Sequence, residues 1–209
     1  MNRGKFIVLE GVNSCGKTTI QNLLIARLIK EFPDKKFIST AEPTYDLPIG
    51  KIIRNCYLKK ERKADDLLMA NLYAMDRYDS FSNPDNGLLV KINNGCNIIQ
   101  SRNYLSSLAM LGSNIDYMYH INKPSIDLLS PDVIIVLERD FEDIIEYHKK
   151  KSDIDIFEND ERLKKSYDGY KKAINYLREN TNENIIEINC PNNIDITFDK
   201  VWNIIKDLF

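Results

Sequence analysis

The sequence predicts an α/β domain built on a mainly parallel sheet. Three observations carry that expectation. Short apolar runs of strand length alternate with helical patterns from end to end, as successive βαβ units require. The runs KFIVLE and VIIVLE are β-rich and nearly continuous in apolar residues, which marks buried strands. Between the first run and the first helical pattern stands GVNSCGKTT, a glycine-rich turn of the kind that wraps phosphate.

The elements follow in order. KFIVLE (5–10) is the first strand and ends at Gly11. From Lys17 the pattern turns helical, with Ile20, Leu23, Leu24, Leu28 and Ile29 on one stripe, and it closes before Pro33. KFIST (36–40) is a second strand, followed by a proline-containing loop, AEPTYDLPIG. Residues 65–82 and 84–94 read as helices, with Pro84 opening the second. CNIIQ (96–100) is a third strand, and SRNYLSSLAM a loop after it. VIIVLE (133–138), behind Pro131-Asp132, is the fourth strand, and DFEDIIEYHKKK a helix. The basic end of that helix is either a phosphate clamp or a last turn facing its own dipole. A polar segment, SDIDIFENDE, leads into a long helix ending near Asn180. NIIEIN (184–189) is the last strand and 195–208 the last helix. The walk shows no repeat, linker or low-complexity tract, so residues 1–209 form one domain.

Composition narrows the function. A chain of 209 residues, 43% hydrophobic and 29% charged, can bury a real core. The formal net charge of −2 gives no basic footprint for duplex nucleic acid, so nucleic-acid chemistry would come through small nucleotides. Cys15, Cys56, Cys96 and Cys190 lack CxxC spacing and read as reduced thiols of a cytoplasmic protein. The N-terminal apolar run is too short for a signal peptide, and a membrane anchor is not expected. His120 and His148 read as surface residues.

The stretch from Gly11 to Thr18 matches the phosphate-loop pattern. Gly11 and Gly16 let the backbone curl so that the amides of Asn13, Ser14 and Cys15 face an anion. The helix that follows offers its positive end, with Thr18 and Thr19 in its first turn. Lys17 supplies a mobile charge for the outer phosphates, and the Thr18 hydroxyl a ligand for magnesium. A nucleoside triphosphate with magnesium is therefore the expected ligand. A guanine-reading Asn-Lys-x-Asp stretch is missing: Asn122-Lys123-Pro124-Ser125 has serine where the carboxylate is needed. A small kinase would add a second pocket for the phosphoryl acceptor.

Three further stretches sit after strands or within a helix where such a pocket is built: AEPT, LYAMDRYDSF and QSRNYLSSLAM. With these, the sequence resembles the thymidylate kinase family of nucleoside monophosphate kinases from residue 5 to about residue 205. AEPTYDLPIGKIIR is similar to that family's Arg-Glu-Pro-Gly loop, ANLYAMDR to its LLFAADR helix, and SRNYLSSLAM to its DRYLDSSLAY loop. DIFENDERLKKSYDGYKKA looks like its lid and closing helix, and PDVIIVLERD like its fourth strand. The resemblance implies a three-layer P-loop NTPase fold with a five-stranded parallel sheet. It implies phosphoryl transfer from ATP and magnesium to a deoxynucleoside monophosphate, thymidylate first, and a homodimer of soluble protein acting on small nucleotides.

It also implies roles. Arg77 would hold the acceptor monophosphate. Tyr73, four residues earlier on the same helix face, would stack on the pyrimidine. Without the resemblance, Tyr73 reads as core and Arg77 as a surface ion pair with Asp76 or Asp79. Arg102 would stabilise the transferring phosphoryl group together with Lys17. Glu10, Glu42 and Pro43 would shape the acceptor side, and Phe157 and Glu158 would belong to a lid at about 150–160. This chain departs from the family pattern at Asn13, Ala41, Ser101, Asn103 and Ile156, where two carboxylates and two guanidiniums are gone. The departures keep open another deoxynucleotide, a deoxynucleoside, or binding without turnover. For a hydroxyl acceptor, Glu42 is the candidate base.

Overall fold

A computed structural model describes residues 3–59, 61–111, 114–149 and 160–209. Five parallel strands form one sheet: β1 (Phe6–Glu10), β2 (Lys36–Ala41), β3 (Cys96–Ser101), β4 (Val133–Glu138) and β5 (Ile185–Asn189). Their order is β2-β3-β1-β4-β5, so β1 is central and pairs with β3 at Ile7↔Ile99 and with β4 at Ile7↔Val133. The outer strands continue the parallel pairing at Ile38↔Ile98 and Ile135↔Ile186.

Side chains alternate across the sheet and split the core in two. Ile7, Leu9, Ile99 and Ile135 face α1 (Lys17–Glu31) and α9 (Ile194–Ile205), where Ile20, Leu24, Leu28, Val201 and Ile205 meet them. Phe6, Val8, Ile98 and Ile134 face the other layer. That layer holds α2 (Pro48–Ile52), α3 (Asp66–Ser82), α4 (Leu88–Asn93), α5 (Tyr104–Leu111), α6 (Ile115–Leu128), α7 (Phe141–Lys149) and α8 (Asp160–Asn180). Both faces of β1 are dry, which is why KFIVLE shows no polar alternation.

The strands fall where the sequence puts them, and several connections do not. Pro84 opens no helix. Asn83 ends α3, and its side-chain oxygen takes the amides of Asp85 and Asn86 at 3.0 and 3.1 Å, a local turn that competes with helix. Helix α4 begins only at Leu88, after Gly87, where a Cβ would come within 2.5 Å of the Asn83 carbonyl. The loop expected at 41–50 gives way to α2 from Pro48, which runs on into a π-helical turn, Ile53–Leu58. SRNYLSSLAM is not a loop: all but its first three residues enter α5, an apolar helix wedged between α3, α6 and α8. Helix α6 also goes unmarked in the sequence, because Pro124 inside it reads as a breaker. His120 is exposed, but His148 is buried on the inner face of α7.

Candidate active site

The carboxyl ends of β1, β2 and β3 open into one continuous cleft of about 820 Å³. The phosphate loop forms its middle. Gly11, Ser14 and Gly16 have φ of 138°, 68° and 101°, so the backbone reverses hand three times within six residues. At Gly11 no side chain fits: a Cβ would stand 2.6 Å from the Leu137 carbonyl. Lys17 turns its ammonium back over the loop, onto the carbonyls of Gly11 and Val12 at 2.8 Å each. Burial, helped by the nearby Arg102 charge, lowers its pKa from 10.5 to about 8. Thr18 and Thr19 are exposed and line the cleft in the first turn of α1.

Arg102 faces the loop from the end of β3. Its φ is 70°, and its amide donates to the Leu9 carbonyl at 2.9 Å. The guanidinium donates to Asn13 Oδ1, to Ser106 Oγ at 3.0 Å and to Tyr170 Oη at 3.4 Å. Beneath it, Glu10 is fully buried and does not line the cleft. Its carboxylate accepts from the amides of Asn103 and Ser106 at 2.7 and 3.2 Å, from Ser106 Oγ at 2.6 Å and from Tyr170 Oη at 2.8 Å. It thus binds the amino end of α5, where an anion is favoured. Cys15 is buried behind the loop, with Sγ 3.6 Å from Lys17 Nζ.

Tyr73, Arg77, Arg54, Tyr45, Leu58 and Pro43 also wall the cleft. Tyr73 is half-buried: it packs on the core and also borders the cleft. Arg77 is not a surface residue and pairs with neither Asp76 nor Asp79. Only 1% exposed, its guanidinium donates to Glu42 through Nε at 2.9–3.0 Å, closes a second contact to Glu42 through Nη2, and reaches Asn122 Oδ1. Gln100 Nε2 donates to Glu42 as well, at 3.0 Å. Burial raises the Glu42 pKa from 4.5 to about 7, against the pull of Arg77. Asp76 has a separate task, accepting from the amide and hydroxyl of Thr44 at 2.7 Å each. Glu42 and Pro43 are joined by a cis peptide bond. Arg54 lies over the Tyr45 ring, 3.7 Å from its centroid. Arg139, just after β4, and Tyr147 and Ile194 line the cleft as well. Phe157, Glu158 and most of the 150–160 segment lie outside the described residues.

Among the described residues, no group of three or more His, Cys, Asp or Glu side chains is placed to hold a metal ion. Thr18 and Ser101 both border the cleft as hydroxyl donors, which suits a magnesium ion carried largely by nucleotide phosphates and water.

Sequence reasoning gave no place in the site to Asp76, Gln100, Asn122 or Tyr170. Tyr170 lies on the apolar stripe of α8 with Leu163, Ser166, Ala173, Ile174 and Leu177, and nothing local separates it from core.

Residues 9–201 match the family model described as thymidylate kinase. The chain belongs to the thymidylate kinase family. A probable thymidylate kinase of Methanosphaera stadtmanae is 34% identical over 212 residues, covering 97% of this chain and 98% of that protein. A thymidylate kinase of Caldicellulosiruptor saccharolyticus is 29% identical, with 99% and 98% covered. The solved thymidylate kinase of Candida albicans shares the fold at a TM-score of 0.75 and 22% identity, covering 98% of this chain and 92% of that one. The phosphate loop, the β2 exit, the Tyr73–Arg77 helix face and the β3 exit all line this single cleft.

Proposed function

We propose that this thymidylate kinase family member transfers the γ-phosphoryl group of ATP to a deoxynucleoside monophosphate, thymidylate first, with magnesium. The observation that carries the reading is the continuity of the cleft. The phosphate loop, the aromatic and guanidinium side chains of Tyr45, Arg54, Tyr73 and Arg77, and Arg139, Tyr147 and Ile194 all line it. Donor and acceptor can then meet in line over Lys17 and Arg102. Phosphoryl transfer asks little covalent chemistry of a protein, so alignment and charge neutralisation are its main tasks.

In this reading the loop amides and the Lys17 ammonium hold the polyphosphate, with Lys17 leaving the Gly11 and Val12 carbonyls to do so. Arg102 stabilises charge on the moving group. Tyr73 stacks on the acceptor base, and Arg77 faces the acceptor's phosphate with Glu42 balancing its charge. Thr18 would hold magnesium, which supplies charge neutralisation on the phosphates when bound. The 150–160 segment acts as the lid. Leu67, Leu68, Met75 and Tyr78 leave an apolar stripe on the outer face of α3, which supports a homodimer. The reaction belongs to the cytoplasm, where ATP and reduced thiols are held. Among the described residues, no helix is long and apolar enough to cross a membrane.

The test is ADP release with ATP, magnesium and a panel of deoxynucleoside monophosphates. Thymidylate should turn over fastest, and Lys17→Ala should abolish transfer. Tight ATP binding with no turnover on any monophosphate would overturn the reading.

A further inference from the structure

We propose that Tyr170 is a positioning residue of the phosphoryl-transfer centre: its hydroxyl takes over the Gly11 carbonyl when Lys17 leaves it, and so frees the lysine to hold the polyphosphate. The inference rests on the reading of Lys17 given above and adds to it the group that lets the lysine go.

Four contacts converge on one atom. Tyr170 Oη lies 3.0 Å from the Gly11 carbonyl oxygen, 2.8 Å from Glu10 Oε2 and 2.9 Å from Ser106 Oγ, and it accepts from Arg102 Nη1 at 3.4 Å. A phenol has one proton to donate, so Gly11 and Glu10 compete for it. Burial and the Glu10 charge both raise the Tyr170 pKa, which keeps that proton on the oxygen. The ring comes from the middle of α8 and is buried in the core beneath the cleft, so the hydroxyl can turn its proton but stays in place.

The two competitors are unequally supplied. Glu10 also accepts from the amides of Asn103 and Ser106 and from Ser106 Oγ, so three donors remain when Tyr170 turns away. The Gly11 carbonyl is in the reverse position. With Lys17 on it at 2.8 Å it has a strong donor. Once Lys17 moves, the described residues other than Tyr170 leave it Arg102 Nη1 alone, at 3.4 Å, which is long for a hydrogen bond. Val12, the second carbonyl that Lys17 leaves, keeps the Cys15 amide at 3.3 Å. A buried carbonyl without a good donor costs about as much as a lost hydrogen bond, so Gly11 would hold the lysine back. The Tyr170 O–H removes that penalty by turning from Glu10 to Gly11. Only hydrogen bonds change, and the proton stays on Oη throughout.

The experiment measures the dissociation constant of magnesium-ATP for the full chain by nuclear magnetic resonance titration, which reaches the millimolar range. Wild type, Tyr170→Phe, Lys17→Met and the double variant are compared. Tyr170→Phe deletes only the oxygen, and a melting curve checks that the variant is folded. It should weaken ATP binding about five- to tenfold, the effect of one hydrogen bond. In the Lys17→Met background no lysine has to leave, so the same change should alter ATP binding by less than about twofold. Thymidylate turnover, followed in parallel, should show a raised Michaelis constant for ATP in Tyr170→Phe. Equal weakening in both backgrounds would make Tyr170 a plain support of the loop, and a fall in kcat with ATP affinity intact would tie its hydroxyl to Arg102; either result overturns the proposal. Unchanged ATP affinity and kcat in Tyr170→Phe, beside a wild type that binds ATP and converts thymidylate, overturns this proposal and leaves the reading of the cleft standing. A wild type that takes up no ATP overturns both.

Discussion

Lys17 bonds the carbonyl of Gly11 at 2.8 Å, six residues back along the chain. The lysine proposed to grip a polyphosphate thus first closes its own loop. Its pKa of about 8 adds a sign to that competition. Below pH 8 the amine is charged and ready; above it, binding must also take up a proton. ATP affinity should therefore be nearly flat from pH 7 to 7.5 and weaken toward roughly tenfold per pH unit beyond 8. Calorimetric titration across that range checks it. In Lys17→Arg the slope should vanish, because guanidinium stays charged.

The buried Arg77–Glu42 pair is a stability element as well as a site element. Removing one partner leaves an uncompensated charge in a dry place. Arg77→Ala should destabilise the fold by about 3–5 kcal/mol, read from denaturant midpoints. A loss within 1 kcal/mol would mean that water already reaches Glu42.

Tyr73→Ala separates the core packing of that ring from its proposed stacking on the acceptor base. The Michaelis constant for the acceptor should rise at least tenfold, with the ATP constant within twofold, since base–aromatic stacking is worth roughly 1–3 kcal/mol. Steady-state kinetics with each substrate varied decides it. Equal effects on both substrates would make Tyr73 a core residue only.

Gly169 sets the closest approach between α8 and α5. A Cβ there would fall 2.0 Å from the Ala109 carbonyl oxygen, a backbone atom with nowhere to go. Gly169→Ala should lower stability by about 1–3 kcal/mol and the melting temperature by roughly 2–10 °C. Differential scanning calorimetry measures both.

The α3 stripe predicts assembly. Met75→Asp places a charge at its middle and should convert a dimer to a monomer in light scattering, with the circular dichroism spectrum unchanged. An unaltered mass would move the interface elsewhere.

The sheet and the phosphate loop were legible because both are local codes. A run such as VIIVLE states burial on two faces, and glycine–lysine spacing states a backbone shape. What stayed hidden depends on meetings far apart in the chain. Glu10 meets Tyr170 across 160 positions, and Arg77 meets Asn122 across 45. No periodicity carries such information. Helix α6 was hidden for another reason: Pro124 is tolerated inside it, although an isolated proline argues against helix. At the turn after α3, a single asparagine side chain outcompeted helix initiation at Pro84.

The central place of β1 has a temporal consequence. Its partners, β3 and β4, are synthesised long after it, and Glu10 gains its neighbour Val136 only once that residue has left the ribosome. An emerging polypeptide that already contains every residue of the Gly11–Thr18 turn still lacks the walls that give it shape, so ATP retention by arrested nascent chains should switch on only after β4 emerges.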